Sequence, residues 1–324
     1  MSLTLKNIQA PIQTELDHFQ KHFKSAMKTK VALLDKITQY IVQTKGKQIR
    51  PMFALLAAKA CGEVNESSYI AASLVEIIHT ATLVHDDVVD EAEKRRGFFS
   101  IFSLWKTKIA VLVGDYLLSR GLNMALENKE YESLHIINSA VQAMSEGELL
   151  QIEKARKLDI NEEIYFEIIR QKTASLISAA CCAGASSTTD DTDQITALKN
   201  FGEKIGIAFQ IKDDLFDYGD DNIGKPKGID IKEKKMTLPL IYALQNCSWI
   251  EKRKVIFNIN RRNTNQKVVK EIIQFVHDKG GLEYAKTKMD IYKNEAIEIL
   301  AELPQNDAIQ SLRDLVEFVT SRKK

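Results

Sequence analysis

The stretch IAASLVEIIHTATLVHDDVVD, residues 70–90, decides the fold. Its apolar residues Ile70, Leu74, Ile77, Ile78 and Ala81 recur at intervals of three and four, which is the spacing of one helical face. The run then ends in Asp86, Asp87 and Asp90, so a long buried helix delivers an acidic end. The same period returns outward along the chain, for example in Ile164, Ile168, Ile169, Leu176 and Ile177, while strand-like alternation is rare. The chain therefore reads as all-α. Helices are predicted over residues 10–43, 49–61, 66–90, 104–127, 131–156, 162–184, 193–218, 234–246, 264–278, 281–302 and 306–321. Breaks fall at Gly46, Gly62, Gly97, around 186–193 and across 219–228. Residues 176–185 are apolar or small on more than one face, as befits the central helix of a bundle.

Composition narrows the classes. Only 14 Gly and 5 Pro occur in 324 residues, with the prolines scattered singly, so no linker divides the chain and a single domain over 1–324 is expected. Forty-five basic residues stand against 44 acidic ones, and 44% of the chain is hydrophobic. That balance describes a soluble protein and argues against a nucleic-acid binder that works by global positive charge. Any phosphate chemistry must use local clusters. Cys61, Cys181, Cys182 and Cys247 lie in or beside apolar helical stretches without metal-type spacing, which predicts buried reduced thiols and a cytoplasmic protein. Residues 1–16 lack an apolar core after a basic start, and the long apolar stretches are interrupted by Glu76, Lys106, Lys108 or Asp115. Neither a signal peptide nor a spanning helix is expected.

The pattern D-D-x-x-D occurs twice, as Asp86, Asp87 and Asp90 and as Asp213, Asp214 and Asp217. Each copy follows an apolar helical run. With Asp at roughly 6% of a chain, about 0.07 matches would arise by chance here, and pairs far less often. Positions i and i+4 share a helix face, so Asp86 with Asp90, and Asp213 with Asp217, can aim oxygens at one point. Carboxylates are hard ligands, and a hard divalent cation held by few of them keeps positions open for phosphate oxygens. Magnesium bridging to a diphosphate is the natural species.

A metal-bound diphosphate still carries negative charge, and cations lie close by in sequence. Arg95 and Arg96 follow the first cluster. In KGKQIRP, residues 45–51, Lys47 and Arg50 sit where a helix begins and free N–H groups favour an anion. Lys172 and Thr173 lie on a largely apolar helix, where a lysine either snorkels or meets a charged ligand. Lys225 and Lys235 flank the loop after the second cluster. His79 is about two turns before Asp86 on a similar face, and on its own it reads more readily as a satisfied core histidine than as a site residue. His85 could orient a carboxylate. No HExxH, GxSxG or glycine-rich phosphate loop is present.

Together these segments resemble the trans-isoprenyl diphosphate (polyprenyl) synthase family, in family order from about residue 45 to 242. HDDVVDEAEKRRG looks like its first aspartate-rich motif, FQIKDDLFDY like the second, and GKQIRP, QKTASL and GKPKGIDIKEKK like its preceding, intervening and following cationic segments. The resemblance implies an isoprenoid synthase fold, a helical bundle around a deep cavity and usually a homodimer. It implies that Asp86, Asp90 and Asp213, assisted by Asp87, Asp214 and Asp217, bind three Mg²⁺ on an allylic diphosphate. Arg95, Lys172, Gln210 and Lys235 would hold that diphosphate, with Thr173 and Lys225 contributing, and Lys47, Arg50, His79 and Arg96 would hold isopentenyl diphosphate. Asp86, Asp90, Asp213 and Lys172 would carry the catalysis.

Departures from the family pattern are Gln48 in place of Arg, Lys234 in place of Gly, and FFSIFSLW in place of a more polar segment. Ala81, five residues before Asp86, is small where a bulky aromatic would close the product cavity. That resembles the long-chain octaprenyl and heptaprenyl synthases and predicts C30 to C40 products for quinone side chains, with Ile78 deeper along the same helix. The alternatives are a short-chain farnesyl or geranylgeranyl synthase and a non-catalytic partner subunit. The expected partners are isopentenyl and allylic diphosphates, with no nucleic acid, and an apolar product of that length leaves room for peripheral membrane contact at release.

Overall fold

The computed structural model describes residues 4–44, 46–95, 97–158, 160–219 and 228–322, and they are built almost wholly of helices. In chain order they are α1 (Leu5–Gln9), α2 (Gln13–Ala26), α3 (Ala32–Gln43), α4 (Ile49–Cys61), α5 (Glu66–Val89), α6 (Ile101–Glu127), α7 (Tyr131–Lys157) and α8 (Glu162–Ile169). There follow α9 (Ser175–Ser186), α10 (Thr192–Tyr218), α11 (Ile229–Lys232), α12 (Leu238–Gln245), α13 (Trp249–Arg262), α14 (Gln266–Asp278), α15 (Gly281–Glu302) and α16 (Asp307–Ser321). Among the described residues the one sheet is a two-residue antiparallel pair, β1 (Lys94–Arg95) with β2 (Phe98–Phe99), turning at Gly97 (φ 83). The all-α reading holds.

Several boundaries differ from the sequence expectation, each for a local reason. The helix expected over 10–43 is broken: a 3₁₀ turn occupies Ala10–Ile12 at Pro11, and α2 ends at Ala26 before Val31 takes an extended conformation. The Thr29 hydroxyl accepts from the Val31 N–H there, a side-chain turn that competes with helix. The segment expected over 162–184 contains a π-helical turn at Arg170–Ala174 between α8 and α9. Single π turns inside α-helices recur at functional sites. Helix α13 is absent from the sequence expectation. Its capping box, Ser248 with Glu251, starts it cleanly, but Trp249, Ile250 and Phe257 lie outward while Val255 and Ile259 lie inward. Apolar residues on both sides blur the period.

Two compact units can be distinguished. The first holds residues 1–141, 176–199 and 300–314, and its core is α5 packed against α6, α4 and α2. α5 starts at a capping box between Asn65 and Ser68 and buries Ile70, Leu74, Ile77, Ile78 and Ala81. Two glycines on one face of α6 let it come close. A Cβ at Gly121 would lie 3.1 Å from Leu74 and 3.4 Å from Ile78, and one at Gly114 would lie 2.2 Å from His85 Nε2. By length and composition α5 and α6 could cross a membrane, yet the apolar window of α5 is 72% buried within the protein, as a core helix would be. The second unit holds residues 142–175, 200–299 and 315–324. There Gly206 lies against Ala174 and Gly281 against the Pro239 carbonyl, at distances that leave no room for a Cβ. All four cysteines are free thiols; Cys181 and Cys182 are buried, and burial pushes the Cys61 thiol up to about 11.

Candidate active site

The first acidic cluster ends α5 in the first unit. Successive helical residues point about 100° apart, so Asp90 lies about 40° from Asp86 and about 60° from Asp87 around the axis. Asp87 is 3% exposed and accepts a hydrogen bond from Arg95 Nε at 2.7 Å. Burial raises its carboxyl pKa, and the Arg95 charge and hydrogen bond oppose that rise. Asp90 is exposed and caps the helix C-terminus. Arg95 reaches Asp87 because the β1–β2 hairpin folds back beneath the helix end, fastened by the Ala92 N–H on the Asp87 carbonyl. A cleft of about 80 Å³ beside this pair is lined by Tyr40, Glu76, Thr80, Leu83, Phe98 and Phe99 among others.

His85 does not orient a carboxylate of the cluster. Its ring fills the notch at Gly114 on α6, with Nε2 at 3.3 Å from both the Val111 carbonyl and Asp115. It fixes the end of α5 to α6. His79 and Arg50 are brought together as a pair, with Arg50 Nη1 at 2.9 Å from His79 Nε2. A guanidinium can only donate, so the imidazole accepts at Nε2 and carries its proton on Nδ1. Arg50 lies in the first turn of α4, which Gln48 enters with a left-handed backbone (φ 52), and Lys47 is exposed beside it. Arg96 lies outside the described residues, as does Lys225. Ala81 and Ile78 are both buried, at 1% and 0% exposure.

The second unit collects the other candidates around one cleft of about 120 Å³. Lys172, Thr173, Gln210, Asp214 and Lys235 all line it, together with Gln151, Tyr165 and Asp230. The π turn presents Lys172 and Thr173. Lys172 pairs with Glu148 and donates to Gln151 Oε1 at 3.3 Å. Thr173 donates to Gln210 Oε1 at 2.7 Å, and Gln210 in turn donates to Asp214 Oδ1 at 2.8 Å. The buried Tyr165 hydroxyl donates to Asp214 Oδ2 at 2.7 Å, so both oxygens of this carboxylate are held. Burial pushes Asp214 up to about 7 against the pull of those two hydrogen bonds, with Asp213 adding to the rise and Lys235 opposing it.

The other two aspartates of this cluster have different partners. Asp217 accepts from the N–H groups of Ile229 (2.8 Å) and Asp230 (3.1 Å), capping the short helix α11, and burial raises its pKa. Asp213 pairs with Arg322, whose guanidinium lies 4.2 Å from the Phe209 ring and 5.4 Å from that of Phe216. Asp230, half-buried beside Asp214 and Asp217, is pushed up to about 8, first by desolvation and then by those two charges.

Sequence reading missed Tyr165, Asp230, Glu148, Gln151 and Arg322. Asp230 stands in a segment already read as motif, so its acid was visible. The others gave no signal, because each acts through a partner far away in sequence.

These residues suit a hard divalent cation. All candidate ligands are carboxylate oxygens, and burial has raised the pKa values of Asp87, Asp214, Asp217 and Asp230 together, a crowding that a bound cation relieves. Among the described residues no three His, Cys, Asp or Glu side chains form a preassembled ligand group, since the aspartates are turned to Arg95, Arg322, Tyr165, Gln210 and backbone donors.

The chain is thus all-α, with two acidic helix ends and clefts lined by cations. Comparison with known proteins makes this specific. The model of the polyprenyl synthetase family matches residues 31–276. An all-trans-nonaprenyl-diphosphate synthase (geranyl-diphosphate specific) from Rhodobacter capsulatus is 34% identical over 98% of each chain. A short chain isoprenyl diphosphate synthase from Methanothermobacter thermautotrophicus is 35% identical over 89% of this chain and 90% of that one. Among solved structures, a Caulobacter crescentus polyprenyl synthase complexed with calcium and isoprenyl diphosphate superposes with a TM-score of 0.92, at 32% identity and covering 99% of this chain and 98% of that one. The chain belongs to the polyprenyl synthetase family.

Proposed function

We propose that this chain is a Mg²⁺-dependent synthase that condenses isopentenyl diphosphate head to tail with an allylic diphosphate, making a trans-polyprenyl diphosphate of C30 to C40 for quinone side chains. The carrying observation is the cleft on which Lys172, Thr173, Gln210, Asp214 and Lys235 converge. Cations and amide donors beside a carboxylate are what a metal-bound diphosphate requires.

Asp86, Asp87, Asp90, Asp213, Asp214 and Asp217 are the proposed holders of Mg²⁺, three ions per site. Bound Mg²⁺ supplies Lewis-acid stabilisation of the departing diphosphate. Lys172 and Lys235 neutralise developing charge on the same group, with Gln210 and Thr173 orienting it and Arg95 and Lys225 contributing. The allylic C–O bond then breaks with its electron pair leaving on diphosphate, and the double bond of isopentenyl diphosphate attacks the cation. Loss of a proton restores the double bond. Lys47, Arg50, His79 and Arg96 position isopentenyl diphosphate for that attack. No side-chain nucleophile takes part, and an apolar surround keeps water from quenching the cation.

Product length rests on Ala81, a small buried residue five positions before Asp86. A shorter-chain product is the second reading, and the similarity to the short chain synthase supports it. A non-catalytic partner subunit is disfavoured because all six aspartates are present. Homodimer formation is proposed through α6, whose Leu104, Val111, Leu112 and Leu126 are 43%, 38%, 56% and 48% exposed.

The test is incubation with Mg²⁺, farnesyl diphosphate and labelled isopentenyl diphosphate, with products sized by mass after dephosphorylation. A ladder ending at C30 to C40 that disappears with EDTA and stops early in Ala81→Phe is expected. Accumulation at C15 or C20 from shorter primers in the unmodified protein would sink the long-chain reading. No product from any primer would favour the partner subunit.

A further inference from the structure

Helix α13 carries its large apolar side chains on the wrong side for a core. Trp249, Ile250 and Phe257 are 68%, 74% and 53% exposed, while Val255 and Ile259 anchor the opposite face at 6% and 1%. At about 100° per residue, Trp249, Ile250 and Phe257 fall with Arg253, Lys254 and Arg261 within less than half of the helix circumference. Three cations are thus interleaved with three apolar groups on one outward face. The helix as a whole holds Lys252, Arg253, Lys254, Arg261 and Arg262. Its acid, Glu251, is committed to the Ser248 cap and to Lys279 at 2.9 Å. On a chain of net charge +1, this helix thus carries five cations against one acid.

The side chains are already arranged for a boundary between water and hydrocarbon. The Arg253 guanidinium lies 4.6 Å from the Trp249 ring centroid, and that of Arg262 lies 5.7 Å from the Phe257 ring. Stacked in this way, ring and cation can occupy the same depth, the ring toward acyl chains and the guanidinium toward headgroups. A second copy of the chain fits this face poorly, because α13 against itself would set five cations against five. A nucleic acid fits poorly too, since Ile250, the most exposed of the three apolar residues, offers nothing to a phosphate backbone. An anionic lipid surface satisfies both halves of the pattern.

We propose that the outward face of α13 is a docking surface for anionic membranes, with Trp249, Ile250 and Phe257 entering the headgroup and acyl boundary and Arg253, Lys254 and Arg261 binding lipid phosphates. Its use rests on the proposed function, because a C30 to C40 product is apolar and must leave into lipid. The surface itself does not depend on that reading. Docking here keeps the product's destination beside the enzyme that makes it.

The experiment is flotation of the full chain with vesicles of phosphatidylglycerol and phosphatidylcholine, or of phosphatidylcholine alone, without substrates. In a Trp105→Phe background, Trp249 is the remaining tryptophan and reports its own environment. Binding to anionic vesicles, a blue shift of Trp249 emission and weakening by salt are expected. The Arg253→Glu, Lys254→Glu, Arg261→Glu triple variant should lower partitioning roughly a hundredfold. Ile250→Ser with Phe257→Ser should lower it by about tenfold or more. Both variants change exposed side chains, and circular dichroism checks folding; the single variant Ile250→Asp serves if either triple or double variant unfolds. No binding by the unmodified chain, equal binding to both vesicle types, or undiminished binding by folded variants would each overturn the proposal. Capture of an acidic protein or of RNA by this face in place of vesicles would also overturn it. Failure here leaves the product assay untouched, and failure there leaves vesicle binding readable.

Discussion

The two D-D-x-x-D segments are spelled alike and built differently. At the end of α5, the buried Asp87 has Arg95 as its hydrogen-bond donor, and the third acid is an exposed helix cap. At the end of α10, Asp214 is gripped on both oxygens by Tyr165 and Gln210, Asp217 is spent on two backbone N–H groups, and Asp213 lies against Arg322. The spacing therefore specifies only which oxygens share a helix face. What those oxygens do is set by partners that the motif does not contain. In the second segment both oxygens of Asp214 are held by side-chain donors, whereas in the first the donor on Asp87 is a single arginine.

The largest test of that contrast is removal of one acid from each end. Asp86→Ala and Asp213→Ala should each lower kcat by about 10²–10³ or more, the scale seen when one preorganised electrostatic contact is lost. Product formation at saturating substrate and Mg²⁺ measures it. If either variant kept most of its activity, the two ends would not be working on one reaction. Tyr165→Phe comes next. It removes a hydroxyl from Asp214 without touching a proposed ligand, so the Mg²⁺ concentration for half-maximal activity should rise about 10–100-fold, while substrate-saturated kcat at high Mg²⁺ recovers. A fall in kcat that excess Mg²⁺ cannot restore would show that Tyr165 supports the fold and does not tune the metal site.

Arg95→Ala separates the clusters in another way. Asp87 is 3% exposed, and losing its donor leaves a buried carboxylate without compensation. Stability should drop on the order of 1–3 kcal/mol, read from the urea midpoint at neutral pH. A midpoint unchanged would mean that water replaces the guanidinium, and Arg95 would then not be what holds Asp87 in the folded protein.

The acids and the helices that deliver them were legible because each uses a local rule. Period and spacing placed Asp86 and Asp213, and the resemblance placed Lys172 and Gln210, which the structure does bring to one cleft. Tyr165 was illegible because its partner is 49 residues away and a tyrosine in an apolar helix reads as core. His85 was misread for a related reason. Its neighbour in sequence is Asp86, but a glycine on α6 opens the space that its ring fills. Helix α13 was lost because its outward apolar residues cancel the period, so a feature that hid the helix is also what gives its surface an interpretation.

The smallest expected effect concerns two lysines in backbone conformations that favour glycine. Lys106 interrupts α6 at φ 69, ψ 167, and Lys234 has φ 58 just after α11. Lys234 is also a position where the family pattern has glycine, and the positive φ supplies the physical reason for that preference. For a side chain with a Cβ, the Lys106 region is essentially reserved for glycine and costs on the order of 1–3 kcal/mol. The left-handed region costs less. Lys106→Gly should therefore stabilise the protein by about 1 kcal/mol after the extra entropy of the unfolded chain is deducted, and Lys234→Gly by less. Urea midpoints of the two variants decide the order. If Lys106→Gly gained nothing, some contact of the lysine side chain would have to offset the strain of the kink.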